Sequence, residues 1–244
     1  MSALSLLSAA CLGFGLLACS SGNVLVGLNH GADTDAGTSG AGGSTLGDPS
    51  AAQLLAALGA CNEISNGELS PESGRTADVK VCGLGTAVYW KSEFAVDCDG
   101  KQGSTCNTKT DPQSTPSTVG KDSAGNSLDA AAVPYIEVPA TNSVFDYTSV
   151  DLNMGSVAAV IYKDHLAYGV IGQEQDAGVI GSGSYAMAVL LGIDPNPKTG
   201  GLETEIVTYV AFTGPANQVT ALEDTTQATT IGKAAAAALV ASTH

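Results

Sequence analysis

The apolar and polar positions of this chain fall into short stretches of different period, separated by breaks rich in Gly, Pro, Ser and Thr. "DPSAAQLLAALGA" at Asp48–Ala60 has helical spacing, with Asp48 placed to cap it, Pro49 at the first helical position and Gly59 at the stop. "TAVYWKSEFAVDCDG" at Thr86–Gly100 is rich in β-branched and aromatic residues and ends on a Gly turn, which reads as a strand. "VPYIEVP" at Val133–Pro139 predicts a short strand between prolines. "SVAAVIYKDHLAYGVIG" at Ser156–Gly172 predicts a hairpin turning near Lys163–Asp164, and "EIVTYVAF" at Glu205–Phe212 a further strand. Two helices are expected: "SYAMAVLLG" at Ser184–Gly192, stopped by Gly192, and the alanine-rich "ATTIGKAAAAALVA" at Ala228–Ala241. A Pro/Ser/Thr loop spans Asp111–Gly125, and no internal repeat is visible. Short strands with few helices predict a mainly β barrel or sandwich with helices at its periphery.

The first 47 residues do not fit that pattern. Met1–Ala18 is an apolar run followed by Cys19, Ser20 and Ser21, which reads as the hydrophobic part of an export signal. "LLAC" at Leu16–Cys19 is similar to a bacterial lipobox, which makes Cys19 the expected lipidation site; an ordinary cleaved signal is the alternative. The run is short for a transmembrane helix. No Lys or Arg precedes it, so the true start is expected upstream of Met1. Residues 19–47 read as a flexible linker: Gly31–Gly47 holds six glycines with almost nothing to bury. The globular part is expected at residues 48–244, tethered to a membrane through the lipid or released. The expected location is the bacterial cell envelope or the outside of the cell.

Export changes the reading of the cysteines. With Cys11 and Cys19 in the leader, Cys61, Cys82, Cys98 and Cys106 form an even set, and two disulfides are expected. Cys98–Cys106 with Cys61–Cys82 is the favoured pairing of the three that are possible. A metal site is the weaker reading of these cysteines, because no histidine lies near them and the spacings are unlike those of zinc sites; no metal or cofactor is expected. The net charge is −15 with only nine Lys and Arg. Nucleic acid is therefore a poor partner, whereas a cationic ligand or plain solubility fits.

Candidate chemistry begins at "AVDCDG". In an extended segment alternate side chains share a face. Asp97 and Asp99 would face one way and Cys98 the other, and Glu93 follows the same alternation. The competing reading makes one Asp a cap for the turn at Gly100 and leaves the other solvated. A Ser-His-Asp triad is not supported: His165 sits in a hairpin turn, His30 in the linker and His244 at the end. No phosphate loop is present.

The order of blocks is more specific than any block alone. "VYWKSEFAVDCDG", "LDAAAVPYIEVP", "GSVAAVIYKDHLAYGVIG", "GVIGSGSYAMAVLLGI" and "VTYVAFTG" follow one another as in glycoside hydrolase family 75, the chitosanases, which this chain resembles over about residues 81–214. The resemblance implies a six-stranded β-barrel of double-psi type. It also implies endo-hydrolysis of β-1,4-linked glucosamine polymers with inversion, by a general acid and a general base whose carboxyls stand roughly 6.5–9.5 Å apart. Chitosan is a polycation, in keeping with the acidic composition. The family pattern carries an Asp after the strand and a Glu at the helix opening as its catalytic pair. Here Gln173 stands at the first position and Ser182 at the second, and neither exchanges protons as a carboxyl does. One expectation is a catalytically impaired member, with Ser182 serving as a helix cap and Asp97, Asp99, Glu93 and the rings of Tyr89 or Trp90 still binding amino sugars. Another is an active enzyme in which Glu174 or Asp176 has taken over one role and Asp97 or Asp99 the other. A third is a lipid-tethered module whose partner is a protein.

Overall fold

The protein is described here by a computed structural model covering residues 47–243. The export segment with Cys11 and Cys19, nearly all of the linker with His30, and His244 lie outside the described residues. The elements are α1 (Ala51–Ala57), β1 (Cys82–Leu84), β2 (Ala87–Asp97), β3 (Tyr135–Pro139), β4 (Val157–Tyr162), β5 (His165–Gln175), β6 (Ser182–Ser184), α2 (Tyr185–Leu191), β7 (Leu202–Phe212) and α3 (Thr225–Ser242). Six strands close a ring in the order β2–β6–β3–β5–β4–β7 and back to β2, with β1 added to β2 outside it. The mainly β, six-stranded barrel expected from the sequence is the fold that forms. Most pairs are antiparallel; β2–β6 and β3–β5 are parallel.

Most strand residues are buried on both faces, with exposed exceptions such as Lys91 of β2 and Ile206 of β7. All six residues of β4 are inaccessible, as expected where each face of a sheet is covered. One set of alternate side chains packs Trp90, Phe94, Ile136, Ile171 and Tyr209 with Met187 and Leu191 of α2. The rings of Trp90 and Tyr209 stack at 5.2 Å. The other set packs Tyr89, Tyr135, Val157, Val170 and Phe212 with α1 and α3.

Several boundaries differ from the sequence expectation for local reasons. Ser50, not Asp48, caps α1: its hydroxyl accepts the Gln53 N–H at 3.3 Å and the Gln53 side chain returns the bond. Asp48 pairs instead with Lys233 of α3. Ser182 is not a helix cap either. It lies in β6, and Ser184 caps α2 by accepting the Met187 N–H at 3.2 Å. β7 starts at Leu202 because its pairing with β2 continues to Phe94 opposite Leu202. α3 starts at Thr225 because the Asp224 carboxylate accepts the Gln227 N–H at 2.8 Å, a cap that outweighs the poor propensity of two threonines. The disulfides are Cys61–Cys82 and Cys98–Cys106.

α3 approaches β5 closely at Gly232, where an added Cβ would come within 2.3 Å of the Tyr168 ring. Gly232→Ala is therefore expected to destabilise the domain by about 1–3 kcal/mol through overpacking, although alanine is the better helix former. Urea unfolding checks this; an unchanged midpoint would show that α3 is not seated there.

Candidate active site

The alternation along β2 builds one wall of a cleft. Ser92, Phe94, Val96 and Cys98 are buried, while Glu93, Ala95 and Asp97 open to the other side. Beyond the end of the strand the Asp99 N–H donates to Asp97 Oδ1 at 2.8 Å, and Asp97 and Asp99 face the same space. Cys98 is buried behind them in its disulfide. The cleft has a volume of about 670 Å³. Nine carboxylic residues line it (Glu72, Glu93, Asp97, Asp99, Asp111, Glu137, Glu174, Asp176 and Glu203) against one cationic residue, Lys198, whose Nζ donates to the Lys109 carbonyl.

At its floor, oxygens of Asp97, Asp99 and Glu137 lie within 4.8 Å of one another. Glu137 belongs to β3, and its side chain is removed from solvent. A bulge in the β3–β5 pairing, with Ile136 opposite Ile171 but Glu137 opposite Gln173, brings these two side chains to one place. Burial first, then the charges of Asp97 and Asp99, hold the Glu137 carboxyl well above the usual carboxylate range; hydrogen bonds from Gln175 and Ser182 oppose the rise. Burial and the Asp99 charge push Asp97 up to about 7. Oδ1 of Asp99 accepts the Thr115 N–H and Oδ2 accepts the Gln173 amide, each at 2.5 Å.

Gln173 is held on all sides. Its Oε1 accepts the backbone N–H of Val119 at 2.8 Å and of Glu174 at 3.1 Å, and its Nε2 also reaches the Ser117 carbonyl at 3.4 Å. Ser182 donates to Glu137 Oε2 at 3.3 Å and accepts from the Gln175 amide, which also donates to that carboxyl. Glu174 lies in the cleft wall and accepts the Tyr147 hydroxyl at 2.7 Å. Asp176 is exposed at the rim. Glu93 lines the cleft in an ion pair with Arg75 at 2.8 Å.

Tyr89 and Trp90 are elsewhere. Both are buried in the packing on either face of β2 and neither lines the cleft. They lie early in β2, where β7 covers one edge of the strand and each face meets core, so no ring is left for a sugar to stack on.

Comparison with known families fits this geometry. The family model described as "Fungal chitosanase of glycosyl hydrolase group 75" matches residues 94–238. The chain belongs to this chitosanase family. The match takes in β3 to β7, the end of β2 and most of α3, and therefore most of the residues that line the cleft, though not Glu72 or Glu93. No curated protein sequence matches the chain. The domain is a chitosanase-like glycoside hydrolase domain, and its two disulfides suit an oxidising compartment.

The cleft carboxyls that sequence reasoning missed are Glu72, Asp111, Glu137 and Glu203, with Gln175 as the donor between Glu137 and Ser182. Asp111 Oδ2 accepts the Cys98 N–H at 3.2 Å and so fixes the loop that carries Asp99. Glu137 did carry a signal: it is the only charged residue in the strand "YIEVP", all of which is buried. An acid in such a run is rare unless it is paired or functional.

Proposed function

We propose that this chitosanase-family domain recognises β-1,4-linked glucosamine polymers in its acidic cleft, and that positions 173 and 182 no longer perform acid–base chemistry. The observation that supports recognition is the nine-to-one excess of carboxylic over cationic residues around one 670 Å³ cleft. A deacetylated amino-sugar chain presents one ammonium per residue and suits such a field. Gln173 and Ser182 are each hydrogen-bonded to a carboxyl, Asp99 and Glu137 respectively. An amide and a hydroxyl stabilise those neighbours but take no proton from water near neutral pH.

Binding of fluorescent deacetylated oligomers tests this reading. Affinity is expected to fall roughly tenfold or more between low and high salt, and to fall with Asp97→Asn and Asp99→Asn in a chain that remains folded. Salt-independent binding, or none, would sink it. Of the two residues offered as relocated acids, Glu174 is engaged by Tyr147 and Asp176 stands at the rim. The reading also includes a lipid at Cys19 that tethers the domain to the cell envelope. Labelling with a fatty-acid analogue, lost in Cys19→Ser, tests that part.

A further inference from the structure

We infer that a second cavity beside the cleft is a carbohydrate subsite, and that it takes an N-acetylated unit of the same polymer. This rests on the proposed recognition of glucosamine polymers and makes a partly acetylated chain the ligand. The second cavity has a volume of about 330 Å³, within the range of roughly 300–1,000 Å³ usual for ligand pockets. It adjoins the cleft: Thr115, Gln173, Glu174, Gln175 and Asp176 line both. The common wall ends at Asp176, which is exposed at the rim, so a chain passes from one cavity to the other over the end of β5. The far side is built by Ser117, Val119 and Lys121 from the loop before β3, and by Ala140 just after that strand.

The two linings differ in charge. Glu174 and Asp176 face one cation in the second cavity, Lys121, against nine carboxylic residues to one cation in the cleft. An ammonium placed beside Lys121 meets like charge. An acetamido group is neutral and needs a donor to its carbonyl, an acceptor for its N–H and an apolar surface for its methyl. The Lys121 ammonium has three donors and uses one on the Ser127 hydroxyl, at 3.2 Å. Glu174 Oε1 accepts the Tyr147 hydroxyl, which leaves Oε2 for an N–H. Val119, 50 % exposed, and Ala140 supply the apolar surface. The loop carrying Val119 and Lys121 is already fixed on β5. The Val119 N–H donates to Gln173 Oε1 at 2.8 Å, the Gly120 N–H to the Gly172 carbonyl at 3.0 Å and the Thr118 hydroxyl to the Gly120 carbonyl at 2.6 Å. An added Cβ at Gly120 would come within 2.6 Å of the Gly172 carbonyl oxygen, so the loop lies directly on the strand. A wall set in advance lowers the ordering cost of binding.

The experiment titrates the natural chain, Val119→Ser and Lys121→Ala with glucosamine oligomers of equal length, either fully deacetylated or carrying one N-acetyl group at the reducing or the non-reducing end. Both side chains are exposed, so each variant is expected to fold, which thermal unfolding checks. The titrations are run at physiological ionic strength, where the long-range pull on the extra ammonium is largely screened. One of the two acetylated oligomers is expected to bind about threefold more tightly than the deacetylated one, or better, through burial of its methyl. Each variant is expected to lose that preference while still binding the deacetylated oligomer. If neither acetylated oligomer binds more tightly than the deacetylated one, or if either variant keeps the preference, the subsite is overturned, and binding of the deacetylated oligomer leaves the proposed recognition standing. Absence of binding to every oligomer overturns both.

Discussion

A variant carrying Gln173→Asp, Ser182→Glu and Glu137→Gln together is expected to cleave deacetylated chitosan at least about 100-fold faster than the natural chain, because each restored acid–base group contributes roughly 10²–10⁴ in rate. The third substitution follows from the packing of the cleft floor. Ser182 donates to Glu137 at 3.3 Å and the Gln173 amide donates to Asp99 at 2.5 Å. Exchanging only the first two would set a second carboxyl against each of these acids, in a cluster where burial and like charge already disfavour ionisation. Gln173→Asp/Ser182→Glu alone is therefore expected to gain less and to unfold at a lower temperature than the triple variant. Initial rates of reducing-end release, beside melting curves, check both statements. A folded triple variant no faster than the natural chain would contradict the assignment of positions 173 and 182.

The second large effect is on stability against pH. Asp97 is raised to about 7 and Glu137 is raised well above its ordinary value, both first by burial. A carboxyl with a raised folded value keeps its proton in the folded chain while the unfolded chain releases it. Its stabilising contribution is complete below the unfolded value near pH 4 and is lost as pH rises through the folded value. The slope is at most about 1.4 kcal/mol per pH unit for each such group. Unfolding free energy is thus expected to fall between pH 4 and pH 7, and Glu137 extends the fall to higher pH. Asp122, Asp146 and Glu223 are lowered by local hydrogen bonds and act in the opposite sense, but at and below pH 4. Asp97→Asn is expected to flatten the curve between pH 4 and 7, and Glu137→Gln its upper part. Denaturant midpoints across that range are the check, and stability that rises from pH 5 to 7 would contradict the buried cluster.

Much of the barrel was legible because its strands are continuous runs of β-branched and aromatic residues ended by Gly or Pro. The Ser156–Gly172 hairpin turns where expected, with Tyr162 opposite His165. The α1 cap was legible too: Ser50 with Gln53 three residues on is a local capping-box signal that favoured Ser50 over Asp48, and the structure sets Asp48 beside Lys233 instead. What was not legible depends on contacts between distant segments. β6 is three residues long and is held by pairing with β2 on one side and β3 on the other, so Ser182 read as part of a helix start. Tyr89 and Trp90 looked available for sugar stacking because a single strand does not show that both of its faces will be covered. In the cleft, the alternation at Glu93, Asp97 and Asp99 was readable from a period of two. Glu137 was overlooked because its importance lies in its neighbours: a bulge sets it opposite Gln173, and a separate strand sets Ser182 beside it.

The most direct test of the account is calorimetric titration of the natural chain with two oligomers of equal length, one of glucosamine and one of N-acetylglucosamine. They share the β-1,4 backbone and differ in charge. An acidic cleft selective for the polycation is expected to bind the glucosamine oligomer at least about tenfold more tightly at low salt, and to lose most of that preference at high salt. Equal affinity for the two, or a preference for the acetylated chain, would contradict recognition of glucosamine polymers by this cleft.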